Sequence, residues 1–236
     1  MLNVTVLATG STGNCYTLTN GETTIMIDCG LPFKKLHRLA NFPLPTVIFV
    51  THEHGDHAKA VKDYLKRGVD VYMTNGTRRA LTLGKHHRFH CISPNLCTAK
   101  IGGIKIEAFM TLHDAEESCG FIIEDDDDRV LYLTDAGEIP QLEGVFTKLL
   151  IEANHSEADI KERMEQGTLD IEQCRRIMGN HLSVEQVLDF LSKTDLTKIK
   201  EIWLIHLSNR HGNGEYFKLL IEAMTGKAVY VAKNKE

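Results

Sequence analysis

The chain has 236 residues, 42% hydrophobic and 25% charged, with a formal net charge of −5. That much apolar chain can bury a core of ordinary size, which excludes a disordered or fibrous protein. The acidic balance supplies no global basic field for wrapping duplex nucleic acid, although a local basic patch stays open.

No apolar stretch approaches the roughly 20 residues that a membrane-spanning helix needs. The opening MLNVTVLATG lacks the basic-then-apolar pattern of a signal peptide and reads as a first strand. The six cysteines, Cys15, Cys29, Cys91, Cys97, Cys119 and Cys174, form no CxxC pair. Free, mostly buried thiols in a reducing compartment are expected, hence a cytoplasmic protein with no membrane contact.

In chain order, 3–8, 14–19 and 23–28 read as strands. Asn20–Gly21 marks a hairpin turn between the second and third. Residues 46–51 (TVIFVT) are a continuous apolar run, as in a strand buried on both faces. The spacing predicts a helix over 57–67, with Ala58, Val61, Tyr64 and Leu65 on one face. A strand comes next at 69–74, then a short helix over 77–84 ending at a glycine.

From 88 to 133 the pattern is β: RFHCI, KIEAFMT, CGFIIE and RVLYLT. EDDDDR at 124–129 lacks the glycine and distal glutamate of a calcium loop and reads as a solvated hairpin tip. A buried strand is expected at 147–153 and helices at 157–166, 170–178 and 184–193. A strand at 201–207, a helix near 214–224 and a final strand AVYVA close the chain. Sheets with flanking helices and no Pro/Ser linker point to one domain over 1–236, a layered α/β sandwich.

The chemistry concentrates in THEHGDH, residues 51–57. Alternation on an extended segment places His52 and His54 on one side, and the bend lets Asp56 and His57 face a second point. Imidazole and carboxylate suit zinc or another divalent transition metal. These residues cannot close two coordination spheres alone. His113, Asp135 and His206 each come after an apolar strand and are the expected remaining ligands.

THEHGDH resembles the HxHxDH signature of the metallo-β-lactamase superfamily. Asp28 after TTIMI, His113, Asp135 in LTDAG and His206 in IHLS resemble its later motifs in the expected order. The resemblance implies a four-layer αββα sandwich with two divalent metals at one edge. Zinc is the expected metal, with manganese and iron as alternatives. It further implies that His52, His54 and His113 hold one metal, that Asp56, His57 and His206 hold the other, and that Asp135 bridges them. Asp28 would hydrogen-bond a ligand and orient the loop. LATGSTGNCY, IEANH at 151–155 and GNHLS at 179–183 are similar to segments of YycJ-type (WalJ-type) bacterial hydrolases, which are associated with exonuclease action on DNA.

Glu152 and His181 resemble a pair in ribonuclease Z and its phosphodiesterase relatives. There the histidine is thought to donate a proton to the leaving oxygen and the glutamate to orient it. Catalytic roles are therefore expected of Asp56, His181 and Glu152, with His155 a weaker candidate. His181 also neighbours Ser183, a good cap for the helix starting there.

Two metals about 3.5–4 Å apart can share a hydroxide and clamp a phosphate, which suits phosphodiester hydrolysis. The expected function is a metal-dependent phosphodiesterase acting on nucleic acid, a DNA exonuclease, by a metal-bridging hydroxide. The alternatives are a hydrolase of a small cyclic phosphate, thioester or lactone, and a non-catalytic metal-binding module.

The loop Thr9–Asn14 could present backbone N–H groups to an anion or be a simple turn. Arg210 is a weak candidate phosphate contact. Basic clusters at Lys34, Lys35, His37 and Arg38, at Lys59, Lys62, Lys66 and Arg67, and over Arg78–Arg88 either serve an anionic substrate or are solvated faces.

Overall fold

The structure is a computed structural model and describes residues 1–40, 44–96, 98–208 and 210–235. Cys97 and Asn209 lie outside the described residues. The chain divides into two compact units. The first comprises Met1–Met110, Ala115–Asp128 and Lys233–Glu236, and the second comprises Thr111–Asp114 and Arg129–Ala232.

The first unit holds a six-stranded mixed sheet, β1 (Asn3–Ala8), β2 (Cys15–Thr19), β3 (Thr24–Ile27), β4 (Val47–Phe49), β5 (Asp70–Met73) and β6 (Phe89–Cys91), in that spatial order. The first two pairings are antiparallel, with β2 and β3 joined at Asn20–Gly21, where Gly21 takes φ 101°. From β3 onward the strands are parallel. Helices make those crossovers: α1 (Phe33–Ala40), α2 (Gly55–Ala58), α3 (Val61–Lys66) and α4 (Asn75–Ala80).

Alternation decides what each strand residue buries. Ile48 of β4 packs with Leu36 and Leu39 of α1 and Val61, Tyr64 and Leu65 of α3 in one apolar cluster. Its neighbour Phe49 points the other way, stacking on Tyr72 and meeting Phe121 edge-on. An antiparallel ribbon of β7 (Thr98–Ile101), β8 (Ile104–Met110) and β9 (Cys119–Glu124) completes this unit.

The second unit carries four parallel strands, β10 (Arg129–Leu133), β11 (Lys148–Glu152), β12 (Glu201–Ile205) and β13 (Ala228–Val231), neighbours in chain order. β10 and β11 are nearly continuous apolar runs, as strands covered on both faces require. The helices of this unit are α5 (Glu157–Glu165), α6 (Ile171–Asn180), α7 (Val184–Lys193) and α8 (Gly214–Thr225). Ser183 caps α7 through a full capping box with Gln186. Among the described residues no helix is long and apolar enough to cross a membrane.

Four expectations need correction. The helix over 57–67 is two helices, because Cys29 takes backbone partners there: its N–H donates to His57 O at 2.7 Å and its O accepts from Ala60 N–H at 3.0 Å. The helix over 77–84 starts earlier, capped by Thr74, and stops before Gly84 as Thr82 turns left-handed at φ 50°. Strand β7 was not expected, since TAKI carries no apolar run. The aspartate turn is not merely solvated: buried Asp128 accepts Leu2 N–H at 2.8 Å, and the terminal ammonium of Met1 pairs with Asp125 and Asp127.

Candidate active site

Within the first unit the motif loop leaves β4 and is held by the residues just after β3. Asp28 sits at the end of β3 with φ 59°, a backbone region that non-glycine residues occupy at a cost and that clusters at functional sites. The turn aims its buried carboxylate under the loop. Oδ1 accepts from Thr51 N–H at 2.9 Å, and Oδ2 lies 2.7 Å from His57 Nδ1. The Thr51 hydroxyl donates to the same carboxylate at 3.0 Å and lies 3.0 Å from His52 Nδ1.

The consistent tautomers therefore have Nδ1–H of His57 donating to Asp28 and Nδ1–H of His52 donating to Thr51, so Nε2 of each carries the lone pair. The His52 ring centroid is 4.7 Å from that of His54 and 4.2 Å from that of His57. Asp56 Oδ2 stands 3.6 Å from His57 Nε2.

The glycine-rich opening loop buttresses this motif. Asn14 N–H donates to Asp56 O at 2.7 Å, and the Asn14 side-chain amide lies 3.0 Å from His57 Nε2. Gly30 is required here, since a Cβ at that position would stand 1.6 Å from Asp56 O. The N–H groups of Thr9, Gly10, Gly13 and Asn14 all have partners inside the protein, so these four positions of the loop are held by the fold.

Within the second unit the equivalent hub is Glu152, fully buried at the end of β11. Its Oε1 accepts from His181 Nδ1 and from His206 Nδ1, each at 2.8 Å. Its Oε2 accepts the backbone N–H groups of Ala136 at 3.3 Å and Leu182 at 3.2 Å. Asp135 Oδ1 lies 2.9 Å from His206 Nδ1 and 3.2 Å from His181 Nδ1. Asp135 and His206 repeat the backbone device of Asp28, with φ 46° and 51° at the ends of β10 and β12. His113 is oriented by its Nδ1, 3.2 Å from the carbonyl of Asn180 at the end of α6.

The charges result from this wiring. Burial pushes the Glu152 carboxyl up, but the His181 charge and the hydrogen bonds from both histidines outweigh it and hold the group below its usual range. Burial pulls His181 down, and Glu152 and Asp135 more than reverse that, raising it to about 9. The two carboxylates thus favour the charged imidazole, whose side chain is 25% exposed. Burial lowers His155, which lies outside these clusters and whose Nδ1 has no hydrogen-bond partner among the described residues. Burial also raises the thiols of Cys15, Cys29 and Cys119, so none of them is a ready nucleophile.

The donor set fits divalent metals. Within the second unit Asp135 and His206 offer ligand atoms within 4.8 Å of each other, beside the hydrogen-bonded Glu152–His181 pair. Nδ1 of His52, His57, His113 and His206 is held by a hydroxyl, carbonyl or carboxylate, the arrangement by which proteins orient metal-binding imidazoles.

The sequence reading missed Thr51, Asn14 and Asn180 as supports and missed the bond from Glu152 to His206. All three residues lie inside the quoted motifs THEHGDH, LATGSTGNCY and GNHLS, which is the signal they left. Several expected basic contacts are spent locally. Arg67 lies over the Phe33 ring and pairs with Asp63, Arg88 pairs with Asp70, and Arg78 lies over Phe89. Lys34, Lys35, Lys59, Lys62 and Lys66 remain exposed, as does Arg210.

A model of the β-lactamase superfamily domain matches residues 23–207. The chain is 30% identical over 224 residues to "Exodeoxyribonuclease WalJ" of Streptococcus pneumoniae, a match covering 87% of this chain and 81% of the relative. Two solved structures share the fold. The metallo-β-lactamase fold protein YhfI from Bacillus subtilis has a TM-score of 0.74 at 16% identity, covering 100% of this chain and 97% of that one. The short form of human tRNase Z has a TM-score of 0.63 at 18% identity, covering 99% and 93%.

Proposed function

This chain belongs to the metallo-β-lactamase superfamily and is a metal-dependent hydrolase of its nuclease-related branch, and we propose that it is an exonuclease that hydrolyses phosphodiester bonds of DNA. Because one family model runs through both units, we read 1–236 as a single functional domain. We assign His52, His54 and His113 to one divalent metal, Asp56, His57 and His206 to a second, and Asp135 to both. Asp28 orients His57 from behind. Zinc is the first expectation from this nitrogen- and oxygen-rich set, with manganese and iron as alternatives. The buried cysteines suit a reducing cytoplasm.

Bound divalent metals would supply a nucleophile at neutral pH and neutralise charge developing on the phosphoryl oxygens. The chain's own residues supply the rest. A phosphodiester expels an alkoxide, which needs a proton as the bond breaks. The observation that carries the reading is the 2.8 Å contact between His181 Nδ1 and Glu152 Oε1. It favours the protonated imidazole and leaves Nε2–H as the proton to give, on a side chain that is 25% exposed. Glu152 cannot swing away, because Oε2 is tied to two backbone N–H groups.

The test is the purified protein, loaded separately with zinc and with manganese, on end-labelled single- and double-stranded DNA. Progressive shortening from one end, abolished in Asp135→Ala, is expected. A metal-loaded protein that cuts small esters but no nucleic acid would sink the proposal.

A further inference from the structure

We propose that Leu112 and Met178, with Arg175 and Arg176, form a shelf that seats the nucleotide beside the scissile phosphate, taking an unpaired base and its phosphate from a single strand. This rests on the nuclease reading above and names the form of substrate that the site accepts.

The segment 111–114 lies along the last turn of α6. Gly137 N–H donates to Leu112 O at 2.8 Å, and a Cβ on Gly137 would stand 2.1 Å from Gly179 O. His113 Nδ1 is 3.2 Å from Asn180 O. Leu112 and Met178 therefore sit on neighbouring backbones, one residue from His113 and three from His181. Those two rings are 5.8 Å apart.

Ile177 packs inward on the small cluster of Ile160, Leu169 and Cys174, which turns Met178 outward. Leu112 is 58% exposed and Met178 37% exposed. Both therefore leave apolar surface in water beside the proposed proton donor. The face of an unpaired base is a flat apolar surface of matching kind, and Leu and Met are side chains that proteins place against base faces.

Charge completes the match. Arg175 and Arg176 are exposed on the same helix, less than one turn before Met178. The Arg176 side chain is 79% exposed, and its Nε stands 4.0 Å from Asp114 Oδ2. Such an exposed pair is weak, so a phosphate offering two oxygens to the guanidinium can displace it. A paired base would hide its face in the stack, which is why the shelf selects a single strand.

The experiment uses the zinc-loaded full chain and a fluorescein-labelled single-stranded oligonucleotide, read by anisotropy and by turnover. Leu112→Ser/Met178→Ser and Arg175→Ala/Arg176→Ala should each raise Kd and KM about tenfold with kcat little changed. The arginine variant should also flatten the slope of log Kd against log salt by about 0.7 for each phosphate it no longer neutralises, and the apolar variant should leave that slope alone. Circular dichroism checks that both fold.

Wild-type affinity in both variants, or equal wild-type affinity for a blunt duplex, would overturn the shelf. So would a wild type that binds no single strand. A wild type that binds the strand through these residues but cuts nothing would instead remove the nuclease reading and leave the shelf standing.

Discussion

The two units hold imidazoles with the same device and put it to different ends. In the first, the Asp28 carboxylate grips His57 Nδ1 at 2.7 Å, and both side chains are sealed from water. In the second, the Glu152 carboxylate grips His181 Nδ1 at 2.8 Å, with the carboxylate sealed and the imidazole open to solvent. A sealed pair fixes a ring so that its far nitrogen can ligate. An open pair fixes a ring so that its far nitrogen can exchange a proton. On the proposed assignment, exposure more than hydrogen-bond length separates the ligand His57 from the acid His181. Glu152 does both, since its other partner, His206, is buried.

The comparison breaks most visibly at His181. His181→Ala should lower kcat on DNA by about 10²–10⁴ while metal content, measured by mass spectrometry, stays at the wild-type level. Asp28→Asn should do the reverse, weakening metal affinity by roughly 10–100-fold while the metal-saturated enzyme keeps most of its kcat. If both variants lose metal equally, the two pairs have one role and the distinction is wrong.

Smaller effects sharpen the picture of how His181 is held. Ser183 caps α7 directly after the His181–Leu182 segment. Ser183→Ala should cost about 1 kcal/mol of stability, seen as a melting temperature lower by roughly 2–4 °C.

The smallest effect is expected at Glu185. Burial opposes its ionisation, but backbone N–H donors, including that of Glu157, and the Ser156 hydroxyl outweigh this and hold its carboxyl below the usual range. A depressed folded pKa stabilises the protein above the unfolded pKa, and that contribution is lost as pH falls through the folded value. Urea melts should show wild type more stable than Glu185→Gln near neutrality, by roughly 1 kcal/mol or less given its partial exposure, with the gap closing in acid below the usual glutamate range.

Local rules made much of this legible. Residues 184–193 read as a helix and form α7 over the same span, because apolar spacing and a Ser cap agree there. The candidate site residues at strand ends were visible because a polar residue ending an apolar run stands out. Distant backbone partners were not visible. Nothing in residues 57–67 announces that Cys29 will take hydrogen bonds at His57 and Ala60 and divide the helix. Strand β7 is held by pairing with β8 beyond a Gly102–Gly103 turn, and its half-exposed TAKI has no apolar signature of its own. Glu152 was paired with His181 by resemblance. Its equal bond to His206 depends on a distance across 54 positions of chain that no local pattern encodes.

The most direct measurement compares His181→Ala with wild type on two substrates, a DNA oligonucleotide and bis(p-nitrophenyl) phosphate. DNA expels an alkoxide that must be protonated, and p-nitrophenolate leaves without help. A general acid at His181 predicts a loss of about 10²–10⁴ in kcat on DNA and little loss on the activated diester. Equal losses on both substrates would contradict it and make His181 a structural or metal-holding residue.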